Sequence, residues 1–214
     1  MLHPVLASLL AFVATAGLLT ITPGLDTAMV LRSATSGGPR AGAAAGVGIC
    51  GGVLVWGVGA AFGLTAILAA SALAFIIVKW IGAAYLVYLG VKLILKPRAS
   101  LNQPTPEFRP SYMDGMGEAL KRGFTTNILN PKVGVFYVTF LPQFIPNGVN
   151  IALFTLLLAG MHVLLNLAWF FMLISLTIPL SAVLAKPRVV MILDRLTGCV
   201  FLAFGAKLAV AHRA

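Results

Sequence analysis

Charged residues are scarce in this chain. Of its 214 residues, 15 are Lys or Arg and only 5 are Asp or Glu, so charged residues make up 9% and apolar residues 60%. A soluble domain carries about a quarter charged residues, because its surface must face water. The scarcity excludes an ordinary soluble domain and predicts an all-α integral membrane protein whose solvent is lipid.

Cysteine, histidine and acidic residues are too few and too scattered to indicate a metal or catalytic centre. Cys50 and Cys199 both lie within apolar runs, so we expect two buried thiols rather than a disulfide or a metal pair. Soft metals need clustered ligands, and an enzyme needs several catalytic groups in one site. The sequence therefore predicts neither an enzyme nor a cofactor or metal. The net charge of +10 lies in short loops between apolar runs, which argues against nucleic acid as a partner.

The apolar runs predict six transmembrane helices, since each crossing needs about 20 residues. A run of 55 residues would form a helix of roughly 80 Å, against a hydrocarbon core of about 30 Å, so residues 41–95 must turn near Leu68–Leu73. The N-terminus lacks the basic start of a signal peptide, and we expect it to remain as part of the first span. The runs occupy residues 5–32, 41–95, 120–141, 151–180 and 189–210.

Residues 96–113 form the one extended polar stretch and contain four prolines. We expect an irregular cytoplasmic loop there. It divides a single transmembrane domain, residues 1–214, into a first half (1–95) and a second half (114–214).

Basic residues predict the orientation, because Lys and Arg concentrate in cytoplasmic loops. With both termini outside, only Lys207 and Arg213 lie outside, and Lys79 and Lys132 lie within spans. The sequence therefore predicts a multi-pass protein of the cytoplasmic (inner) membrane with both termini outside. The remaining 11 of the 15 basic residues are then cytoplasmic: Arg32, Arg40, Lys92, Lys96, Arg98, Arg109, Lys121, Arg122, Lys186, Arg188 and Arg195.

The two halves share an order of motifs. "TITPGLDTAMVL" (Thr20–Leu31) is matched by "NILNPKVGVFYV" (Asn127–Val138), "GVLVWGV" around Trp56 by "NLAWFFM" around Trp169, and "YLGVKLIL" by "AFGAKLAV". Three spans per half would place the second half upside down. Inverted repeats with interrupted helices recur in secondary transporters, where the breaks meet near the midplane. We therefore predict two inverted three-helix repeats, with the first and fourth helices broken at Pro23, Gly24 and Pro131.

The chain resembles the lysine exporter and homoserine/threonine resistance (LysE/RhtB) family over nearly its whole length. The first resembling block is "TPGLDTAMVLRSATSGGPRAGAAAGVGICGG", and the second, more specific one is "NILNPKVGVFYVTFLPQF". The first block commonly reads Gly-Pro-Gly-Pro in the family, whereas Thr22-Pro23-Gly24-Leu25 stands here, which leaves the substrate class open. The resemblance implies a six-helix exporter of amino acids or their relatives, driven by the proton gradient or the membrane potential.

The helix breaks carry the candidate site residues. Asp26 appears as the only carboxylate well inside a span, and it could bind a substrate ammonium, carry a proton, or only join helices through a cation. Lys132 is too far from the cytoplasm to reach it, so we expect it to be the counter-ion of Asp26 and to meet a substrate carboxylate. The predicted substrate or proton pathway comprises Thr22, Asp26, Asn127, Asn130, Lys132, His162 and Asn166.

Polar residues in this set also have structural interpretations. Asn127 and Asn130 could cap the broken helix as readily as they bind substrate. His162, one turn from Asn166, is more often a hydrogen-bonded helix contact than a proton relay.

Small residues are concentrated at residues 41–63. Gly42 and Gly46, and Gly59 and Gly63, have the Gly-x-x-x-Gly spacing that allows two helices to approach closely. This favours tight packing within one protomer, with a homodimer as the alternative.

Taken together, the patterns predict a secondary active exporter of small amino acids or derivatives, with the substrate and the lipid bilayer as its partners. An inorganic-ion or metal-cation transporter or channel is the alternative.

Overall fold

The computed structural model describes residues 2–70, 72–97, 115–176 and 186–210. Within these ranges every regular element is helical, which confirms the all-α prediction. Residues 98–113 of the predicted loop (96–113) and residues 177–180 of the predicted fifth span lie outside the described residues. The α-helices of the described ranges are α1 (Leu2–Ile21), α2 (Leu25–Ala70), α3 (Ala72–Leu95), α4 (Met116–Ile128), α5 (Pro131–Val135), α6 (Ile151–Ser175) and α7 (Pro187–Val210).

Helix α2 folds back on itself at Gly38. Gly38 has φ +80° and ψ 177°, a backbone conformation that residues with a Cβ rarely adopt. Pro39 follows it. A Cβ added to Gly42 would lie 2.7 Å from Cβ of Ala34, which a straight helix would hold about 12 Å away. Residues 25–37 and 39–70 are therefore two arms of a helical hairpin, and the loop predicted between Arg32 and Arg40 is reduced to one glycine.

The segment from Met116 to Phe144 is one interrupted rod. Helix α4 ends at Ile128 and α5 begins at Pro131. A π-helical turn at Phe136–Phe140 and a 3₁₀ turn at Leu141–Phe144 continue it. Thr139 donates its hydroxyl to the Val135 carbonyl at 2.7 Å, a local bond that competes with the regular ladder. The helical structure at the predicted fourth span, residues 120–141, therefore begins earlier, at Met116, and changes helix type along its length.

Helix packing places the two breaks next to each other. The second arm of α2 packs against both α4 and α6, while α3 packs against α7 and α1 against α6. Large side chains from α1, the π-helical turn and α6 fill the main core, among them Phe12, Tyr137, Phe140 and Leu158. A smaller core joins Val30 of α2 to Phe170 of α6.

By length and composition, three helical stretches of the described residues could cross a membrane: Pro4–Ile21, Leu25–Gly63, which includes the Gly38 turn of the α2 hairpin, and Ile151–Ser175. Their outward faces carry large apolar side chains, such as Leu153 (68% exposed) and Phe171 (74% exposed). Such a surface is costly in water and suited to lipid.

Candidate functional site at the two helix breaks

The first break leaves the Leu19 carbonyl near the end of α1 without a donor from its own helix. Helix α1 ends at Ile21 and α2 begins at Leu25, so Thr22, Pro23 and Gly24 are not helical. In a continuous helix the Leu19 carbonyl would accept from the N–H of residue 23, and proline has none. The preceding carbonyl, that of Leu18, accepts from the backbone N–H of Thr22 at 3.1 Å and from its hydroxyl at 2.6 Å.

The second break is capped by its own asparagine. Asn130 has an extended backbone (φ −76°, ψ 105°), and its side-chain oxygen accepts from the Lys132 N–H at 3.1 Å. Asparagine at the N-cap followed by proline at the first helical position is a strong helix start. The sequence Asn-Pro-Lys therefore starts α5, and the capping interpretation of Asn130 describes its observed contact.

Lys132 reaches from the second break to the first. Its ammonium donates to the Leu19 carbonyl at 2.7 Å and to the Thr22 carbonyl at 3.0 Å. Its Nζ lies 3.7 Å from where a Cβ of Gly24 would be. The cation thus lies at the negative end of α1, where the helix dipole favours positive charge.

Asp26 is held by α4. Its Oδ2 accepts from Nδ2 of Asn127 at 2.8 Å, and Asn127 is fully buried. The buried Oδ1 atoms of Asp26 and Asn127 have no hydrogen-bond partner among the described residues. Native proteins rarely leave buried acceptors unsatisfied, so these two oxygens indicate a place for a donor from water or a ligand.

One cavity contains most of the predicted residues. Its empty space, including the part continuous with the outside, is about 360 Å³. Asn127 does not line the cavity, but its Nδ2 donates to Asp26, which does. The lining residues are Leu19, Thr20, Thr22, Gly24, Asp26, Thr27, Asn130, Lys132, Val133, His162, Asn166 and Phe170.

Helix α6 forms the far wall of this cavity. Nδ1 of His162 lies 3.2 Å from the hydroxyl of Tyr137, and the two rings stack. Asn166 accepts from the Thr20 hydroxyl at 3.2 Å. Both residues are buried, and both contact the broken segments rather than lipid.

Two buried polar residues of α7 are absent from the sequence prediction. The Thr197 hydroxyl of α7 donates to the Thr22 hydroxyl at 2.8 Å. Asp194, one turn earlier in α7, is a second carboxylate that is completely buried, so Asp26 is not the only one deep in a helix. The i, i+3 spacing of Asp194 and Thr197 is the sequence signal that could have identified this polar face.

No group of three or more His, Cys, Asp or Glu residues that could hold a metal ion occurs in the part of the chain that the structure describes.

The amino-acid sequence is similar to those of known proteins over nearly its whole length. A family model described as LysE type translocator matches residues 18–212. The uncharacterized membrane protein YrhP of Bacillus subtilis (strain 168) is 33% identical over 212 residues, covering 94% of this chain and 97% of the relative. The homoserine/homoserine lactone efflux protein of Salmonella typhi is 29% identical over 210 residues (95% of this chain, 97% of the relative). The leucine efflux protein of Salmonella choleraesuis is 26% identical over 196 residues, 89% of each chain. No solved structure matches this chain.

Proposed function

Because this chain belongs to the LysE type translocator family, we propose that it is a secondary active exporter of small amino acids or their derivatives across the cytoplasmic membrane. The observation that carries the proposal is the cavity in which the two helix breaks meet, with a carboxylate and an ammonium on its wall. The names of the relatives, homoserine/homoserine lactone efflux protein and leucine efflux protein, support the same class of substrate.

The cavity presents groups that complement an amino-acid zwitterion. The Asp26 carboxylate, whose Oδ1 has no hydrogen-bond partner among the described residues, offers an acceptor for a substrate ammonium, and Lys132 offers a cation to the substrate's carboxylate. Backbone carbonyls at the end of a half-helix add to the negative side of the site, as in other secondary transporters. His162 and Asn166 complete the polar wall from α6, and we propose that His162 belongs to the pathway with Asp26.

We propose further that the halves are inverted repeats related by a pseudo-twofold axis. Aligning Pro23 with Pro131 pairs Gly24 with Lys132, and the Lys132 ammonium lies beside Gly24, with Nζ 3.7 Å from where a Cβ of Gly24 would be. Equivalent positions meet only near a twofold axis. The axis therefore passes close to the two breaks.

Two tryptophans give independent support for the same symmetry. Trp56 packs against Gly134 and Trp169 donates toward the Thr27 hydroxyl at 3.5 Å, so each contacts the helix start after the other half's break. The alignment pairs Gly134 with Asp26, the neighbour of Thr27. Six membrane-crossing helices and both termini outside remain part of the proposal.

The position of the cavity between the two breaks suggests how transport proceeds. Rocking of one repeat against the other about the fixed site would open each side in turn, driven by the proton gradient or the membrane potential.

Counterflow tests the function. Purified protein in proteoliposomes preloaded with unlabelled leucine or homoserine should accumulate the labelled amino acid from outside. Asp26→Asn should abolish this accumulation. Glu118→Gln, the same carboxylate-to-amide change at the exposed ion pair with Arg122 (3.2 Å), should retain it. Exchange of labelled metal cations without amino-acid counterflow would replace this proposal with the ion-transport alternative.

A further inference from the structure

The end of α1 has the features of a built cation site. The Leu19 carbonyl lacks its helical donor because residue 23 is proline, and the Thr22 carbonyl lies beside it at the break. One ammonium, that of Lys132, serves both at 2.7 and 3.0 Å. These are ordinary N–H···O distances. They are longer than the roughly 2.3–2.6 Å that separates oxygen ligands from a bound Ca²⁺ ion.

The occupant comes from another part of the chain and lies at the cavity wall. Lys132 belongs to α5, on the far side of the second break, and its side chain is only partly buried. Leu19, Thr22 and Lys132 all line the cavity that also contains Asp26. A group bound in the cavity can therefore reach the two carbonyls from the place where Lys132 now lies.

We infer that the carbonyls of Leu19 and Thr22 form a binding site for a primary ammonium group, which Lys132 fills when the transporter is empty and which the substrate's ammonium takes over. This inference rests on the proposed export function for the identity of the substrate. The displaced Lys132 then turns toward the substrate's carboxylate. Because one ammonium replaces another, the carbonyls keep a charged donor in both states, and the site never holds two uncompensated cations.

This exchange explains why the break is proline rather than another residue. An N–H at position 23 would satisfy the Leu19 carbonyl within α1 and remove the demand for an external donor. Proline keeps the carbonyl available for whichever ammonium is present.

Amine rescue of a lysine-truncated variant tests the site. Lys132→Ala leaves the carbonyls without their donor, so we expect the melting midpoint of the purified protein in detergent to fall by about 2–4 °C. Methylammonium chloride should restore the midpoint. Tetramethylammonium chloride, which has no N–H, and sodium chloride at the same ionic strength should not. Wild-type protein, whose site is filled by Lys132, should show no selective response to methylammonium.

A second variant keeps the test decisive if Lys132→Ala is poorly recovered. Pro23→Ala supplies the missing N–H, so Pro23→Ala/Lys132→Ala should be more abundant in the membrane than Lys132→Ala and should lose the methylammonium response. Equal abundance of the two variants would overturn the inference, as would equal rescue by sodium or tetramethylammonium. A selective methylammonium response of Lys132→Ala, together with an absence of amino-acid counterflow by the wild-type protein, would support the ammonium site and reject the export function.

Discussion

Asn127 links the second half of the chain to the first by a hydrogen bond to a charged group. It lies at the end of α4, is fully buried, and donates from Nδ2 to the Asp26 carboxylate at 2.8 Å. A hydrogen bond to a charged group contributes about 1.5–3 kcal/mol, more than a neutral one, since the charge would otherwise be desolvated without compensation. The orientation of the Asp26 carboxylate in the cavity therefore depends on this asparagine.

Asn127→Ala should destabilise the protein by about 1.5–3 kcal/mol and should reduce counterflow per molecule, because Asp26 loses its positioning donor. Asn150→Ala is the matched control. Asn150 caps α6 at an exposed position, accepting from the Leu153 N–H at 3.0 Å, and its loss should cost about 1 kcal/mol. Melting midpoints and counterflow normalised to protein amount check both variants. Normal transport by Asn127→Ala would show that Asp26 needs no positioning from α4.

At this scale the sequence predicts residue types better than their partners. The sequence predicts that Asp26 and Lys132 are counter-ions, and the structure places both at one cavity. Their observed hydrogen bonds go to different groups: Asp26 accepts from Asn127, and Lys132 donates to the Leu19 and Thr22 carbonyls. Proline has no N–H to donate to the carbonyl four residues earlier. This effect is local, so it can be predicted from the sequence alone. That Lys132 would be the donor depends on tertiary packing between the breaks, which no pattern in the sequence encodes.

At the scale of helices, glycine determines how closely α2 and α4 cross. A Cβ on Gly48 would lie 2.0 Å from the Leu120 carbonyl oxygen, and one on Gly123 would lie 2.1 Å from that of Ala45. Neither oxygen can move away, because each belongs to the backbone of a packed helix. The crossing in turn brings Asn127 of α4 against Gly52 and so sets the position of the site.

Gly123→Ala should therefore push α4 away from α2 and lower both membrane abundance and counterflow per molecule. Overpacking a tight contact costs about 1–3 kcal/mol, and a contact between backbones relaxes least. Gly59→Ala makes the same change at an exposed helical position whose added Cβ meets nothing within 4 Å, and it should behave like wild type. Equal abundance and transport of both variants would mean that the crossing is not tight in the membrane.

The glycine spacings of the sequence show where prediction at this scale ends. Gly42 and Gly46 do face helix α6, against Ile174 and Phe170, but the pair that faces α4 is Gly48 and Gly52. Periodicity shows that residues share a face without saying which neighbour that face meets. The site of each helix interruption was easier to predict, since proline removes a donor whatever surrounds it.

At the scale of the whole molecule, the exposed surface is largely apolar and the polar groups converge inside. Large apolar side chains such as Phe62 and Phe171 face outward, while Asp26, Asn130 and His162 meet in the cavity. This distribution reverses that of a soluble domain. The family resemblance, predicted from two motifs, is confirmed by the family model and its efflux relatives. The orientation in the membrane stays a prediction from charge.

The orientation can be tested across the interrupted rod that runs from α4 to the 3₁₀ turn. Gly115 precedes α4 and Asn147 follows the rod, and both are exposed. If the rod crosses the membrane once, its two ends lie on opposite sides, and the excess of Lys and Arg near its start predicts that Gly115 is cytoplasmic. In a background with Cys50→Ala and Cys199→Ala, an impermeant thiol reagent on intact cells should label Asn147→Cys but not Gly115→Cys. Permeabilised cells should show labelling of both, which establishes that each thiol is reachable. Labelling of Gly115→Cys alone in intact cells would reverse the orientation, and labelling of both would show that the rod does not cross.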